Sequence, residues 1–381
     1  MKRILERIKK SPLNNRINKL ALIIIILNLL YYDPNIKYAE ELDIPAGIGY
    51  DFETKIDSIR YYQLPISTYI FNQNGTTTST VHVGKAEALL KTRQYRQRKT
   101  NRKFLLGNEK IYLFSEKSAY DGVHEIINLL YSHPLANPQA FSLVCSENPK
   151  DMLSKKIEGQ SSAADYIYGL MQNSPQYNFF PIRQYTINTN YCKLKTEGES
   201  FVLPYVEEKQ NDIEITGMAI FKGDKMQRKI NMDETRILNW LREDKTKGII
   251  SISKKYNDFA EMDCYVTRKA KCYKENGKYK FIIKLDIKGD MVNFESPKND
   301  LMNKKEKDKI VKNFEDKIYK DSYNFIHKMQ KEYKIDLLNL GSVAAAKYGR
   351  HTGVDWDEVV SNSDIELNVN LRLIRGGRGA F

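Results

Sequence analysis

The sequence is poor in the residues that most often carry chemistry. Five histidines and four cysteines are scattered over 381 residues. Cys145, Cys192, Cys264 and Cys272 form no CxxC pair and have no zinc-like spacing to a histidine, which excludes the common structural zinc sites. The HExxH, GxSxG, phosphate-loop and EF-hand patterns are missing. Only one long apolar run occurs, at residues 20–30, which excludes a bundle of membrane helices. Acidic residues number 48 against 61 basic ones, leaving a net charge of +13.

That excess looks like a nucleic-acid signal until it is located. Lys2, Arg3, Arg7, Lys9, Lys10, Arg16 and Lys19 face Glu6 alone, so the first nineteen residues supply +6 of it. Elsewhere the cations interleave with acids, as in 304–320, in the manner of solvated helix faces. No nucleic-acid partner is expected.

Behind the basic stretch, residues 20–30 read LALIIIILNLL, extended by Tyr31 and Tyr32 and closed by Asp33-Pro34. At about 1.5 Å per residue the run is short for a hydrocarbon core of roughly 30 Å, and it matches the apolar region of an export signal. The positive flank should stay inside while the rest crosses. Ala39 is the nearest small residue for cleavage, but Lys37 stands where a second is wanted, so retention and removal both stay open.

The remainder has 41% hydrophobic content over the whole chain to draw on, enough for one large core or two to three smaller ones. Residues 61–71, 76–83, 111–115 and 140–145 read as strands. Residues 84–93 turn helical with Ala86, Leu89 and Leu90 on one side, and 123–131, 151–156 and 161–172 are further helices. A charged break at 207–212 follows Leu203-Pro204 and is read as a domain boundary. Beyond it 213–221, 249–253, 262–271 and 280–287 are strands, Gly223-Asp224 is a turn, and Asp233 caps a helix whose buried side is Ile237, Leu238 and Leu241.

Val311, Phe314, Ile318, Phe325, Met329 and Tyr333 recur at helical spacing over 304–333. A second helix is expected over 336–348 with Gly349 as its stop, and residues 364–374, DIELNVNLRLI, alternate as a half-exposed strand does.

Candidate chemistry is sparse. His82 falls in a strand, His124 on an amphipathic helix, His133 before Pro134 and His327 on the polar side of the long helix. His351 with Asp355 and Asp357 is the one suggestive cluster, best read as an exposed loop, and Glu41-Asp43 as surface solvation. Gly47-Ile48-Gly49 lacks the third glycine of a dinucleotide loop. Arg372, Arg375 and Arg378, with Gly376, Gly377 and Gly379, would suit anionic headgroups or a solvated tail. Cys264 and Cys272 would either bridge after export or stay as buried thiols. No catalytic residue, metal ligand or cofactor is expected.

Several segments in order resemble the Ger(x)C family, the C subunits of spore-germination nutrient receptors. Gly47-Ile48-Gly49-Tyr50-Asp51 is similar to the family's GIGID-like strand. Residues 217–225, GMAIFKGDK, with Gly217, Phe221, Lys222 and Lys225, are similar to its GlAvFkgdK segment, and 233–241, DETRILNWL, to its ETrglLwL helix. Residues 330–341, QKEYKIDLLNLG, with Gln330, Asp336 and Gly341, resemble its QkeykaDilgfG helix pair, and Trp356-Asp357 with 366–374 resembles its closing pattern. The resemblance covers about 42–375. It departs at the lipobox, where Leu29-Leu30-Tyr31-Tyr32-Asp33 replaces the usual cysteine.

The resulting expectation is an α+β fold of mixed, mostly antiparallel sheets with packed helices. Residues 1–36 form the basic region and signal or anchor, 37–206 an N-terminal domain, and 207–381 a C-terminal domain with a further division at 275/276 as an alternative. The resemblance implies a non-enzymatic receptor subunit on the outer face of the spore inner membrane, partnered by integral-membrane A- and B-type subunits. An extracytoplasmic small-molecule-binding protein and an envelope-acting hydrolase are the other readings.

Overall fold

The computed structural model describes residues 12–31, 41–54, 60–72, 74–182, 184–210, 212–255, 258–295 and 304–375. Two units divide the chain, Met1–Leu42 and Asp43–Phe381. In the first, helix α1 covers Pro12–Tyr31, with proline at the opening position where its missing N–H costs nothing. Leu20, Leu22 and the aliphatic residues to Leu27 are all at least 46% exposed, so this run buries itself in no core of its own. Among the described residues no helix is long and apolar enough to cross a membrane. The basic residues up to Lys10, the Tyr32-Asp33 pair, Lys37, Ala39, Arg378 and Gly376, Gly377 and Gly379 lie outside the described residues.

The second unit is built on two main sheets. The larger has eight strands: β1 (Pro45–Thr54), β2 (Arg60–Phe71), β3 (Thr77–Ala86), β4 (Ile111–Ser115), β5 (Phe141–Cys145), β6 (Val202–Lys209), β7 (Asp212–Lys222) and β8 (Lys225–Asn231). Their spatial order is β8-β7-β6-β5-β4-β1-β2-β3. The inner four run parallel, and an antiparallel pair flanks them on each side.

Central parallel strands are covered on both faces, so they read as unbroken apolar runs. IYLFS of β4 and FSLVC of β5 are buried at every position. The pleat sends Ile111 and Leu113 to one face, with Ala164, Ile167 and Met171 of helix Ala163–Asn173, and Tyr112 and Phe114 to the other, with Ile126, Ile127 and Leu130 of helix His124–Ser132.

The smaller sheet orders β9 (Lys245–Lys255), β10 (Asp258–Glu275), β11 (Lys278–Glu295) and β12 (Asp364–Arg375), the last parallel to β11. Its inner face lies under the long helix Lys304–Lys328 through Ile310, Phe314, Ile318 and Phe325, and one core cluster runs continuously through both sheets. The charged break at 207–212 is the hairpin between β6 and β7, and the alternative division at 275/276 is the Asn276-Gly277 turn, both residues at positive φ, between β10 and β11. Cys264 and Cys272 are free, buried thiols on β10; Cys145 is also buried and Cys192 exposed.

Several local expectations need correction. Ala86 ends strand β3, and the following helix, Leu89–Gln97, buries Thr92 and Arg96 while Leu90 stays 61% exposed, because packing against the sheet chose the other helix face. Asn231, not Asp233, caps helix Met232–Arg242, in a capping box with Glu234. The long helix ends at Lys328 and a single π turn, Met329–Tyr333, follows. The next helix begins at Leu340, not Asp336, because the Asp336 carboxylate takes up backbone N–H groups in a turn and Asn339 sits at φ 55.

Candidate functional site

The segments singled out in the sequence hold the body together in three places. In β1, a Cβ on Gly47 would sit 2.8 Å from Ala164 Cβ, and one on Gly49 would sit 2.5 Å from Pro149 Cβ, so only glycine lets two helices lie this close to the strand. Asp51 accepts from Ser115 Oγ at 2.7 Å and from Asn148 Nδ2 at 3.1 Å. In β7, a Cβ on Gly217 would strike the Ile230 carbonyl of β8, and Phe221 meets Phe201 edge-on at 4.7 Å. Lys222 and Lys225 pair across the exposed turn. Asp224 within that turn accepts the N–H groups of Val123 and His124 at the start of helix His124–Ser132.

The third place gathers Gln330, Asp336, Gly341 and Trp356. Gln330 Nε2 donates to the carbonyls of Val360 at 2.9 Å and Ser363 at 2.8 Å. Asp336, 2% exposed, accepts from the N–H of Leu338 at 3.1 Å and of Gly341 at 2.6 Å, and its own N–H donates to Asp357 Oδ1 at 2.8 Å. Burial pushes the Asp336 carboxyl up to about 6, outweighing the backbone N–H groups that pull it down. Ser342 N–H donates to the Gly198 carbonyl at 3.0 Å, and Trp356 Nε1 donates to Glu197 Oε1 at 3.0 Å. Glu197 also accepts the His351 N–H.

Beside this cluster opens a cleft of about 790 Å³. Its walls come from helix Ile187–Lys195, the 197–200 segment, the end of helix Met232–Arg242, β10 and the start of helix Leu340–Tyr348. Arg242 is rooted there by bonds to Ser200 Oγ and the Ser200 carbonyl, both at 2.6 Å, to the Leu337 carbonyl at 3.0 Å and to Glu243 at 3.2 Å. Arg268 Nη2 donates to the Leu338 carbonyl at 2.8 Å. Lys193 is 9% exposed, and its ammonium is pushed down to about 8, first by burial and then by the Arg242 charge, against the pull of Glu243 and Glu199.

The His351 cluster is dispersed into structural tasks. Asp355 caps helix Trp356–Ser361, Asp357 holds the Asp336 N–H, and none of the three lines the cleft. Among the described residues no group of three or more His, Cys, Asp or Glu is arranged to hold a metal. Sequence reasoning missed Lys193, Glu197, Arg242 and Arg268. The one signal for the helix carrying Lys193 was the Thr186–Thr189 capping box.

Fold and site thus define a two-sheet α+β protein whose marked motifs make close structural contacts, with a polar cleft beside one of them. Residues 35–208 match the family described as spore germination protein N-terminal domain, and residues 216–377 match the one described as spore germination B3/GerAC like, C-terminal. The chain belongs to this family, the Ger(x)C germination proteins. Spore germination protein GerQC of Bacillus cereus is 21% identical over 275 residues, 71% of this chain and 76% of that protein. Spore germination protein A3 of Bacillus subtilis (strain 168) is 23% identical over 355 residues, 90% of this chain and 93% of that one. Spore germination protein B3 of the same strain is 24% identical over 185 residues, 47% of this chain and 50% of its own length. The crystal structure of the GerBC protein shares the fold, with a TM-score of 0.56 at 16% identity over 86% of this chain and 97% of that one.

Proposed function

We propose that this chain is the C-type subunit of a germinant receptor, a non-enzymatic assembly and signalling scaffold for integral-membrane A- and B-type subunits. The observation that carries this reading is the pair of family matches laid end to end over 35–208 and 216–377. The modules we propose are 37–206 and 207–381, the second lending β7 and β8 to the sheet of the first.

The body stands at the outer face of the spore inner membrane, delivered there by the apolar helix Pro12–Tyr31 behind its basic flank. With no lipobox cysteine near Tyr31, the segment serves as a retained signal anchor or leaves a body held by its partners. A scaffold without turnover is supported by the way the polar residues of the third motif and its neighbour Glu197 are used: Asp336, Asp357, Glu197 and Gln330 spend their bonding capacity on backbone and tryptophan N–H groups or on carbonyls.

Spores lacking this chain should fail to respond to their germinant while the cortex-lytic enzymes in their extracts keep normal activity. A normal response refutes the proposal. In protoplasts, an added protease should digest the body from outside.

A further inference from the structure

Two cations that line the cleft carry buried donors with nothing to accept from them. Of the side chains that line it, Lys193 Nζ and Arg268 Nε are buried without a hydrogen-bond partner; Asn190 Nδ2 and Asn239 Nδ2, likewise unpaired, lie behind the lining. Among the described residues that line the cleft, no buried side-chain acceptor is left unpaired beside them. Asn190 and Lys193 lie one turn apart on helix Ile187–Lys195 and so share a face. The Lys193 ammonium sits 5.6 Å from the centroid of the buried Tyr185 ring, and Tyr185 Oη reaches Asn239 Oδ1 at 3.3 Å, so these two contacts connect Lys193 to Asn239 behind the cleft lining.

Buried donors left unpaired cost free energy until something accepts from them, and a native protein rarely leaves several together unless a guest completes the set. Arg242 is not part of this surplus, since Ser200, Leu337 and Glu243 already occupy its guanidinium. Around the donors stand Lys245 and Arg242 on the positive side and Glu199, Glu243 and Asp244 on the negative side.

We propose that this cleft binds a small oxyanion, a carboxylate or a phosphate group, received by Lys193 from the first module and Arg268 from the second. Such a guest bridges the seam that the Gly198–Gly341 contact closes, so its binding fastens the two modules. The site stands on the cleft alone and is independent of the germination role.

The test uses the full-length chain purified in detergent. Its unfolding temperature is measured in sodium phosphate and in sodium succinate, each against sodium chloride at matched ionic strength. At least one oxyanion should raise the midpoint by a few degrees beyond chloride, and which of the two does so names the group. Lys193→Met should abolish that rise while the chain still unfolds cooperatively in chloride, because it removes a buried ammonium that has no hydrogen-bond partner. Equal effects of chloride and both oxyanions, or an unchanged response in the variant, overturn the proposal. A second readout needs no variant: because the Lys193 ammonium is pushed down to about 8, affinity for the effective oxyanion, expressed per fully ionised guest, should fall about tenfold from pH 7 to 9, and a flat profile overturns it as well.

Discussion

Replacing Gly341 by alanine puts a methyl group where two elements already touch. Its Cβ would sit 2.5 Å from Trp356 Cβ, 2.8 Å from Trp356 Cγ and 3.1 Å from Gly198 Cα. None of these is the free end of a flexible side chain. The indole is held by Glu197, and Gly198 by the bond from Ser342 N–H at 3.0 Å, so relief means stretching one or both. Gly198 cannot yield by changing conformation, because its φ of +73 suits glycine and a Cβ of its own would strike Gly341.

Two terms oppose each other in this substitution. Alanine in place of glycine within a helix gains up to about 1 kcal/mol, and less near a first turn such as this. Overpacking against fixed neighbours costs about 1 to 3 kcal/mol. The packing term wins, leaving a net loss of about 2 kcal/mol. Unfolding entropy of about 2 cal/mol/K per residue turns this into a midpoint lower by roughly 3 °C for a body of this size. Urea denaturation followed by tryptophan fluorescence provides the assay, with Trp356 itself as a reporter at the strained contact. A variant as stable as the wild type would show that the 197–200 segment and the 340–348 helix separate easily, and the interlocking role of this motif would fall.

Two further perturbations bear on the same body. Between about pH 4 and 6 the folded chain keeps a proton on Asp336 that the unfolded chain has released, so this group's contribution is greatest below pH 4 and is lost as pH rises to 6, at about 1.4 kcal/mol per unit. The stability difference between wild type and Asp336→Asn should slope over that window, and a flat difference would contradict the burial. With a thiol reagent near neutral pH, Cys192 should react rapidly and Cys145, Cys264 and Cys272 only after unfolding, since burial hides all three and pushes their thiols up; rapid loss of more than one thiol per chain would refute this.

Elements with a strong period were legible. The stripe through Phe314, Ile318 and Phe325, the alternation of residues 364–374 and the runs at 111–115 and 140–145 each record a burial pattern that repeats along the chain, and the structure buries them accordingly. Lys193, Arg242 and Arg268 were not legible, because a cation among acids looks the same in sequence whether it is solvated or enclosed. Asp336 was read as the opening of a helix, since its motif and its spacing do not reveal that the carboxylate turns inward to hold Leu338 and Gly341.

The sequence by itself determined the family, through ordered short motifs, and the α+β character, through periodicities that arise from each element's own geometry. Tertiary structure alone decided that β1 lies beside β4 and β4 beside β5, that a charged break becomes a hairpin inside one sheet, and that four basic side chains line one cleft. The physical reason is range: propensity and hydrophobic period act over a few residues, whereas strand order and a buried charge cluster depend on which distant surfaces exclude water together.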